Sequence, residues 1–147
     1  MKIINEVRIN LTSRSSNESF ARVAVSSFFA QLDPTVDEVT DIKTAVSEAV
    51  TNAIVHGYKD KIGIVYITLR ILDNATAYIK IRDTGCGIEN IEQAMEPLFT
   101  TAPNDERAGL GFAVMQSFMD KVKVFSKKER GTTVIMVKKI TSRQHNG

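Results

Sequence analysis

Ser47-Glu48-Ala49-Val50-Thr51-Asn52-Ala53-Ile54-Val55-His56-Gly57 is the stretch on which the fold turns. Upstream of it and through it, Val36, Val39, Ile42, Val46, Val50 and Ile54 recur at helical spacing, and Gly57 sits where a helix stops. Thr35 and Glu38 form the reciprocal capping pattern that would start this helix. Glu48, Asn52 and His56 follow one another at intervals of four. Four residues advance ~400° around an α-helix, so each step drifts by only ~40° and the three share one face. An amide oxygen one turn from a carboxylate suits a hard cation such as Mg²⁺. The carboxylate itself could take the proton from an attacking hydroxyl. On spacing alone, an ordinary solvated polar face would read the same way.

Outward from this helix, the chain divides into short elements. Ser15 with Glu18 forms a second capping pattern, opening a helix from about Asn17 to Gln31 with Phe20, Val23, Ala24, Phe28 and Leu32 on its apolar side. Asp33-Pro34 ends it. Ile3 to Leu11 alternates as a half-buried strand does. Downstream, Ile64 to Leu72 and Ala75 to Arg82 are β-rich and joined by a turn at Asp73-Asn74. Asp83 to Gly111 holds four glycines and two prolines and reads as a long functional loop with a short helix near Ile91 to Met95. Leu110 to Asp120 is helical in pattern, Val122 to Ser126 and Thr132 to Lys139 form a closing hairpin, and Thr141 to Gly147 is a polar tail. The order β-α-α-β-β-loop-α-β-β predicts an α+β fold. It is a two-layer α/β sandwich, with a mostly antiparallel mixed sheet and helices on one face, in a single domain over 1–147.

Composition narrows the function. In 147 residues, 43% are hydrophobic, enough for a sizeable core, and the formal net charge is only +2. That balance argues against direct nucleic-acid binding, which needs a strong basic excess. The clusters Lys121/Lys123 with Lys127/Lys128/Arg130, and Lys138/Lys139, read as solvated strand edges. The one cysteine, Cys86, excludes an intramolecular disulfide and a cysteine-based zinc site, and reads as a small packing residue. No apolar run nears the roughly 18–20 residues of a membrane span, and Met1 to Leu11 lacks the apolar centre of a signal peptide. The expectation is a cytoplasmic protein.

Three further motifs carry chemistry. Asp83-Thr84-Gly85-Cys86-Gly87 follows a strand, so a carboxylate there could accept a hydrogen bond from an exocyclic amine such as that of adenine. Asp-x-Gly also makes plain turns. Arg107-Ala108-Gly109-Leu110-Gly111 precedes a helix, where backbone N–H groups and a guanidinium would suit phosphate; a bare loop-to-helix junction is the alternative. Gly131-Thr132-Thr133 opens the last strand and by itself signals only a turn. The Walker A loop and the HRD and DFG motifs of ordinary protein kinases are absent from the sequence.

Taken together and in order, these elements resemble the Bergerat ATP-binding fold of the GHKL superfamily. Glu48-x-x-x-Asn52-x-x-x-His56-Gly57 resembles its N box, and Asp83-x-Gly85-x-Gly87, Gly109-x-Gly111 and Gly131-Thr132-Thr133 its three glycine boxes. Over nearly the whole chain, Asn17 to Arg22, Ala30 to Thr35, Ser47 to Ile54 and Pro97-Leu98-Phe99-Thr100-Thr101 resemble the sporulation anti-sigma kinases of the sigma-F type. The resemblance implies a homodimeric ATP-dependent protein serine kinase. It would hold a sigma factor (sigma-F type) away from RNA polymerase and phosphorylate a serine of an anti-anti-sigma protein, with ATP and Mg²⁺ as cofactors. By position, it makes Glu48 the catalytic base and Asn52 the Mg²⁺ ligand. Asp83 would read adenine, with Gly85 and Gly87 giving it room and Thr132 beside it. Thr100, Thr101, Arg107, Gly109, Leu110 and Gly111 would line the phosphates, and Arg22 would contact both protein partners. Two positions depart from the family pattern: Ala102 and Ala108 stand where a lysine and a serine are frequent. Three other readings stay open: a stress-response anti-sigma kinase, a histidine-kinase catalytic domain lacking a credible acceptor histidine, and an ATP-dependent binding module without transfer.

Overall fold

The computed structural model describes residues 1–95 and 103–141, the side chains of 103–110 excepted. Five strands form one sheet: β1 (Ile3–Thr12), β2 (Ile64–Leu72), β3 (Thr76–Asp83), β4 (Lys121–Lys127) and β5 (Gly131–Lys139), in the spatial order β1-β2-β3-β5-β4. The antiparallel pairing expected of most of the sheet extends to all four neighbouring pairs. The β2–β3 turn crosses at Asn74 and Ala75, both with positive φ (61° and 55°). Alternation buries Val65, Ile67 and Leu69 of β2 and Ala77, Ile79 and Ile81 of β3 on one face.

Helices cover that face. They are α1 (Ser16–Phe29), extended by a tight turn at Ala30–Leu32, α2 (Val36–Thr51), a short α3 (Ile91–Met95) and α4 (Pro103–Phe118). α2 lies in the middle, packed against α1 on one side and α4 on the other. Ile42, Val46 and Val50 of α2 are fully buried, as the helical spacing predicts. The face of α1 differs in part from the expectation. Phe28 and Leu32 pack against the core as expected, but the buried stripe is Ala21, Val25 and Phe29, and Phe20 is 51% and Val23 59% exposed. Apolar residues occur on two sides of α1, and contact with α2 selects the narrower stripe at i, i+4, i+8.

The two capping patterns also part ways. Thr35 and Glu38 make both reciprocal bonds, at 2.9 and 3.2 Å. Ser15 makes no side-chain cap, because its backbone is already helical; the Glu18 carboxylate turns instead to Ser47 Oγ on α2. Glu38 does a second job: its Oε2 accepts from both the backbone N–H and the hydroxyl of Thr141, at 2.8 and 2.9 Å, tying the end of the described chain to the start of α2. Burial alone would raise the pKa of Glu38, but the bonds from Thr141 and Thr35 outweigh it and hold the carboxyl below its usual range. Glu38→Ala is expected to cost about 1–3 kcal/mol, read as a lower urea midpoint at neutral pH. Because the folded pKa is depressed, this stabilisation is present above the ordinary Glu range and lost as pH falls through the folded value. The wild type and Glu38→Ala curves should therefore converge in acid.

Candidate active site

α2 does not stop at Thr51. Asn52–Gly57 continues it as a π-helical segment, with Tyr58 N–H bonding the Ala53 carbonyl five residues back at 2.9 Å. Such widened turns concentrate at functional sites. This one lies over β3 and β5 and beside α4. Glu48 stays in regular register with Asn52, whose N–H bonds the Glu48 carbonyl, so the widening alters only the course from Asn52 onward. Asn52 and His56 line a cavity of about 650 Å³ with Asp83, Gly87, Thr132 and Phe112. That volume falls in the usual range of small-molecule sites, roughly 300–1,000 Å³. Glu48 lines an adjacent groove of about 350 Å³ shared with Arg22, Thr40, Lys43, Thr44 and Ser47.

Glu48 and Asn52 nevertheless meet at one point. A Cβ placed on Gly111 would stand 3.2 Å from Glu48 Oε2 and from Asn52 Nδ2. The absence of that carbon lets α4 press its backbone between the two side chains. Asn52 Nδ2 is buried without a hydrogen-bond partner, and no bond or ion pair holds the Glu48 carboxylate, among the described residues. An orphaned amide beside a polar cavity fits a ligand that supplies the missing partner. Exchanging its O and N assignments would present an oxygen to a cation. Among the described residues no cluster of three His, Cys, Asp or Glu could hold a metal. A cation here would thus be shared between Asn52 and the oxygens of its own ligand, as Mg²⁺ commonly is.

At the other end of the cavity, Asp83 closes β3, opposite Thr132 in the β3–β5 register. It is only 5% exposed. Its Oδ1 accepts the Gly85 N–H at 2.9 Å. Burial pushes its pKa up, against the lowering pull of the Gly85 and Thr132 N–H groups and of Arg82. Gly57 makes the place possible: a Cβ there would lie 2.8 Å from Asp83 Oδ1. The loop glycines also hold the loop against its own chain, Gly87 while lining the cavity. Gly85 abuts the Gly57 carbonyl (2.1 Å from an added Cβ) and Gly87, at φ 73°, abuts the Lys127 carbonyl, so they seat the loop on its own chain. Cys86 is seated likewise, donating its thiol to the His56 carbonyl at 3.1 Å while lining the cavity.

Thr132 lines the cavity as expected and bonds Ser126 Oγ at 2.8 Å; Ser126 in turn accepts the Ile88 N–H at 2.7 Å. Thr100 and Thr101 lie outside the described residues. Arg107, Gly109 and Gly111 are not at a loop-to-helix junction, because α4 is continuous from Pro103. Only the first four positions of a helix keep unpaired N–H groups, so the amides of Gly109, Leu110 and Gly111 are inside the ladder and the expected anion nest is not formed there. Arg22 sits on α1 at the groove, its Nε 3.4 Å from Glu18 Oε1.

Sequence reasoning missed three contributors. Tyr58 is buried, accepts the Thr84 N–H at 2.9 Å and donates to the Ile64 carbonyl, locking the loop after β3 to the start of β2. Ser126 anchors Ile88; its inward alternation on β4 was the available signal. Lys43 lines the groove beside Glu48; its place one turn before Ser47 was legible, but not which neighbour it would face.

Comparison with known proteins agrees with this geometry. Residues 11–138 match the histidine kinase-like ATPase domain family. The chain is 56% identical to the anti-sigma F factor of Anoxybacillus flavithermus, over 93% of this chain and 94% of that one. It is 53% identical to that of Clostridium perfringens (strain ATCC 13124), over 94% and 99%. It is 56% identical to that of a Thermoanaerobacter species, over 97% and 99%. Among solved structures, the RsbU and RsbW domains of a Mycobacterium tuberculosis protein superpose with a TM-score of 0.67 at 17% identity, covering 92% of this chain and 32% of that one. The histidine kinase domain of a blue-light activated kinase from Erythrobacter litoralis superposes at 0.57 and 17%, covering 89% and 62%; at these identities the likeness concerns the fold. With more than half its aligned residues identical to theirs over nearly its whole length, the chain belongs to the anti-sigma F factors, within the histidine kinase-like ATPase domain family.

Proposed function

We propose that this chain binds and inhibits a sporulation sigma factor of the sigma-F type and uses MgATP to phosphorylate a serine of an anti-anti-sigma protein, as a single domain over 1–147. The observation that carries the transfer reading is the meeting of Glu48 and Asn52 across Gly111, at the wall between a nucleotide-sized cavity and a groove open to a protein chain. Asp83 receives the adenine amine at the buried end, with Thr132 beside it. Asn52 holds Mg²⁺, which when bound neutralises phosphate charge and orients the terminal phosphoryl group. Glu48 orients the serine hydroxyl from the groove side and takes its proton as the oxygen attacks phosphorus. Arg107, with Thr100 and Thr101, completes the phosphate end. Gly111 contributes there by letting α4 reach Asn52.

Arg22, 40% exposed on α1, is the contact for both protein partners. The open positions Phe20 and Val23 on α1 and Ile3 and Ile4 on β1 favour a homodimer formed through these elements. No helix among the described residues is long and apolar enough to cross a membrane, which accords with a cytoplasmic place of action.

The test is incubation with labelled ATP, Mg²⁺ and the anti-anti-sigma protein, alongside retention of sigma-F on the immobilised chain. Label on a serine of the antagonist and retained sigma are the expected outcomes. Retained sigma without phosphoserine would reduce the protein to a nucleotide-dependent binder. Arg22→Ala is expected to lose at least about 90% of sigma retention while keeping the wild-type unfolding midpoint, since a central interface arginine is worth ~2 kcal/mol or more. Full retention by this variant would remove Arg22 from the interface.

A further inference from the structure

Beyond the cavity, the groove between α1 and α2 has a chemistry of its own. Its walls are Arg22 from α1 and Thr40, Lys43, Thr44, Ser47 and Glu48 from α2. The hydroxyls are already spent as donors. Thr40 donates to the Val36 carbonyl at 3.0 Å, Thr44 to the Thr40 carbonyl at 2.9 Å, and Ser47 to Glu18. They therefore offer the groove only lone pairs. The donors are the two cations. Arg22 is partly neutralised by Glu18 at 3.4 Å, whereas Lys43, half-buried, has no anionic partner among the described residues. An occupant must bring hydrogen-bond donors to the hydroxyls and a negative charge to Lys43. A peptide segment with an acidic side chain meets both needs; a free anion meets only the second.

Position completes the case. Glu48 and Lys43 both line the groove, five residues apart on α2, which is about 7.5 Å along the axis and ~140° around it. An extended peptide rises roughly 3.3 Å per residue, so the axial part alone spans about two residues and the rotation adds to it. We propose that the α1–α2 groove is the docking track for the phosphoacceptor segment, and that Lys43 is a specificity residue pairing with a carboxylate two or more residues from the acceptor serine. This rests on the kinase reading, in which Glu48 meets the serine hydroxyl.

The experiment measures phosphoryl transfer from MgATP to the purified anti-anti-sigma protein, and separately the calorimetric affinity of that protein for the chain loaded with MgADP. Lys43→Ala should raise KM for the protein substrate about tenfold, with kcat and KM for ATP unchanged, and weaken the MgADP-state affinity by the same factor. Lys43→Arg should restore both, and Lys43→Glu should regain affinity when the acidic residue near the acceptor serine is changed to lysine. An unchanged KM and affinity in Lys43→Ala overturns the proposal. If the wild type transfers no phosphate yet binds the antagonist in a Lys43-dependent way, the groove stands and the kinase reading falls. If transfer proceeds normally in Lys43→Ala, the groove falls and the kinase reading stands.

Discussion

Removing the Glu48 carboxylate is expected to slow phosphoryl transfer by about 10²–10⁴-fold while leaving nucleotide affinity unchanged. The two halves of that expectation come from one geometric fact. Glu48 is a wall of the groove and not of the nucleotide cavity, yet its Oε2 reaches the same Gly111 position as the Asn52 amide. A group so placed can touch the incoming hydroxyl without touching the base or ribose. Nor does any bond among the described residues tie Glu48 to the fold, so Glu48→Gln, of the same shape, should unfold at the wild-type urea midpoint. Single-turnover transfer and calorimetry with an ATP analogue would check the two halves separately. A parallel loss of rate and affinity would mean that Glu48 shapes the cavity; an undiminished rate would mean that another group takes the proton.

Asp83→Asn is expected to weaken adenine nucleotide binding at least tenfold, about 1.4 kcal/mol, without destabilising the free protein. Asp83 is nearly inaccessible, and burial outweighs the Gly85 and Thr132 N–H bonds and Arg82 in setting its pKa above the ordinary value. A raised folded pKa means that the folded state holds the proton more tightly than the unfolded chain. Stability is therefore greatest below the ordinary Asp range, falls as pH rises through the raised value, and is level above it. At neutral pH the charged side chain is a cost to folding, tolerated because an ionised acceptor is what an exocyclic amine meets best. Asn removes the charge and its cost, and leaves one neutral carbonyl oxygen in place of the ionised acceptor. The variant should thus show equal or higher urea resistance, a flat pH profile where the wild type declines, and poorer calorimetric affinity. Unchanged affinity would remove Asp83 from base recognition.

The elements that proved legible are those in which periodicity and partner coincide. β2 was bounded at Ile64 and Leu72 by its β-rich composition and the turn that follows, and the Thr35–Glu38 cap by two side chains three residues apart. The site helix was legible for the same reason up to Asn52, where local rules stop applying. The π turn there answers to what lies beneath it, β3, β5 and α4, none of which is near in sequence. The sequence reading put Val23 on the apolar side of α1, and packing against α2 chose Val25 instead. Gly109 and Gly111 resemble a loop before a helix because glycine is a poor helix former, yet α4 runs through them. Gly111 earns its place through contact with Asn52 and Glu48, more than fifty residues away.

By itself, then, the order of apolar and polar residues determined the strands, most of the helices and the layer arrangement, while Glu48, Asn52, Asp83 and Thr132 were singled out by the resemblance of their motifs, taken in order, to the Bergerat boxes. Those elements follow from interactions within a turn or across a hairpin. Only the tertiary structure decided that Glu48 and Asn52 line different spaces, that Gly85 and Gly87 pack on their own chain, and that Lys43 stands without an ion-pair partner among the described residues in the groove that Glu48 also lines. Each of these depends on which distant backbone approaches within a few ångströms, and such approaches arise only when the sheet and its helices close over a common core.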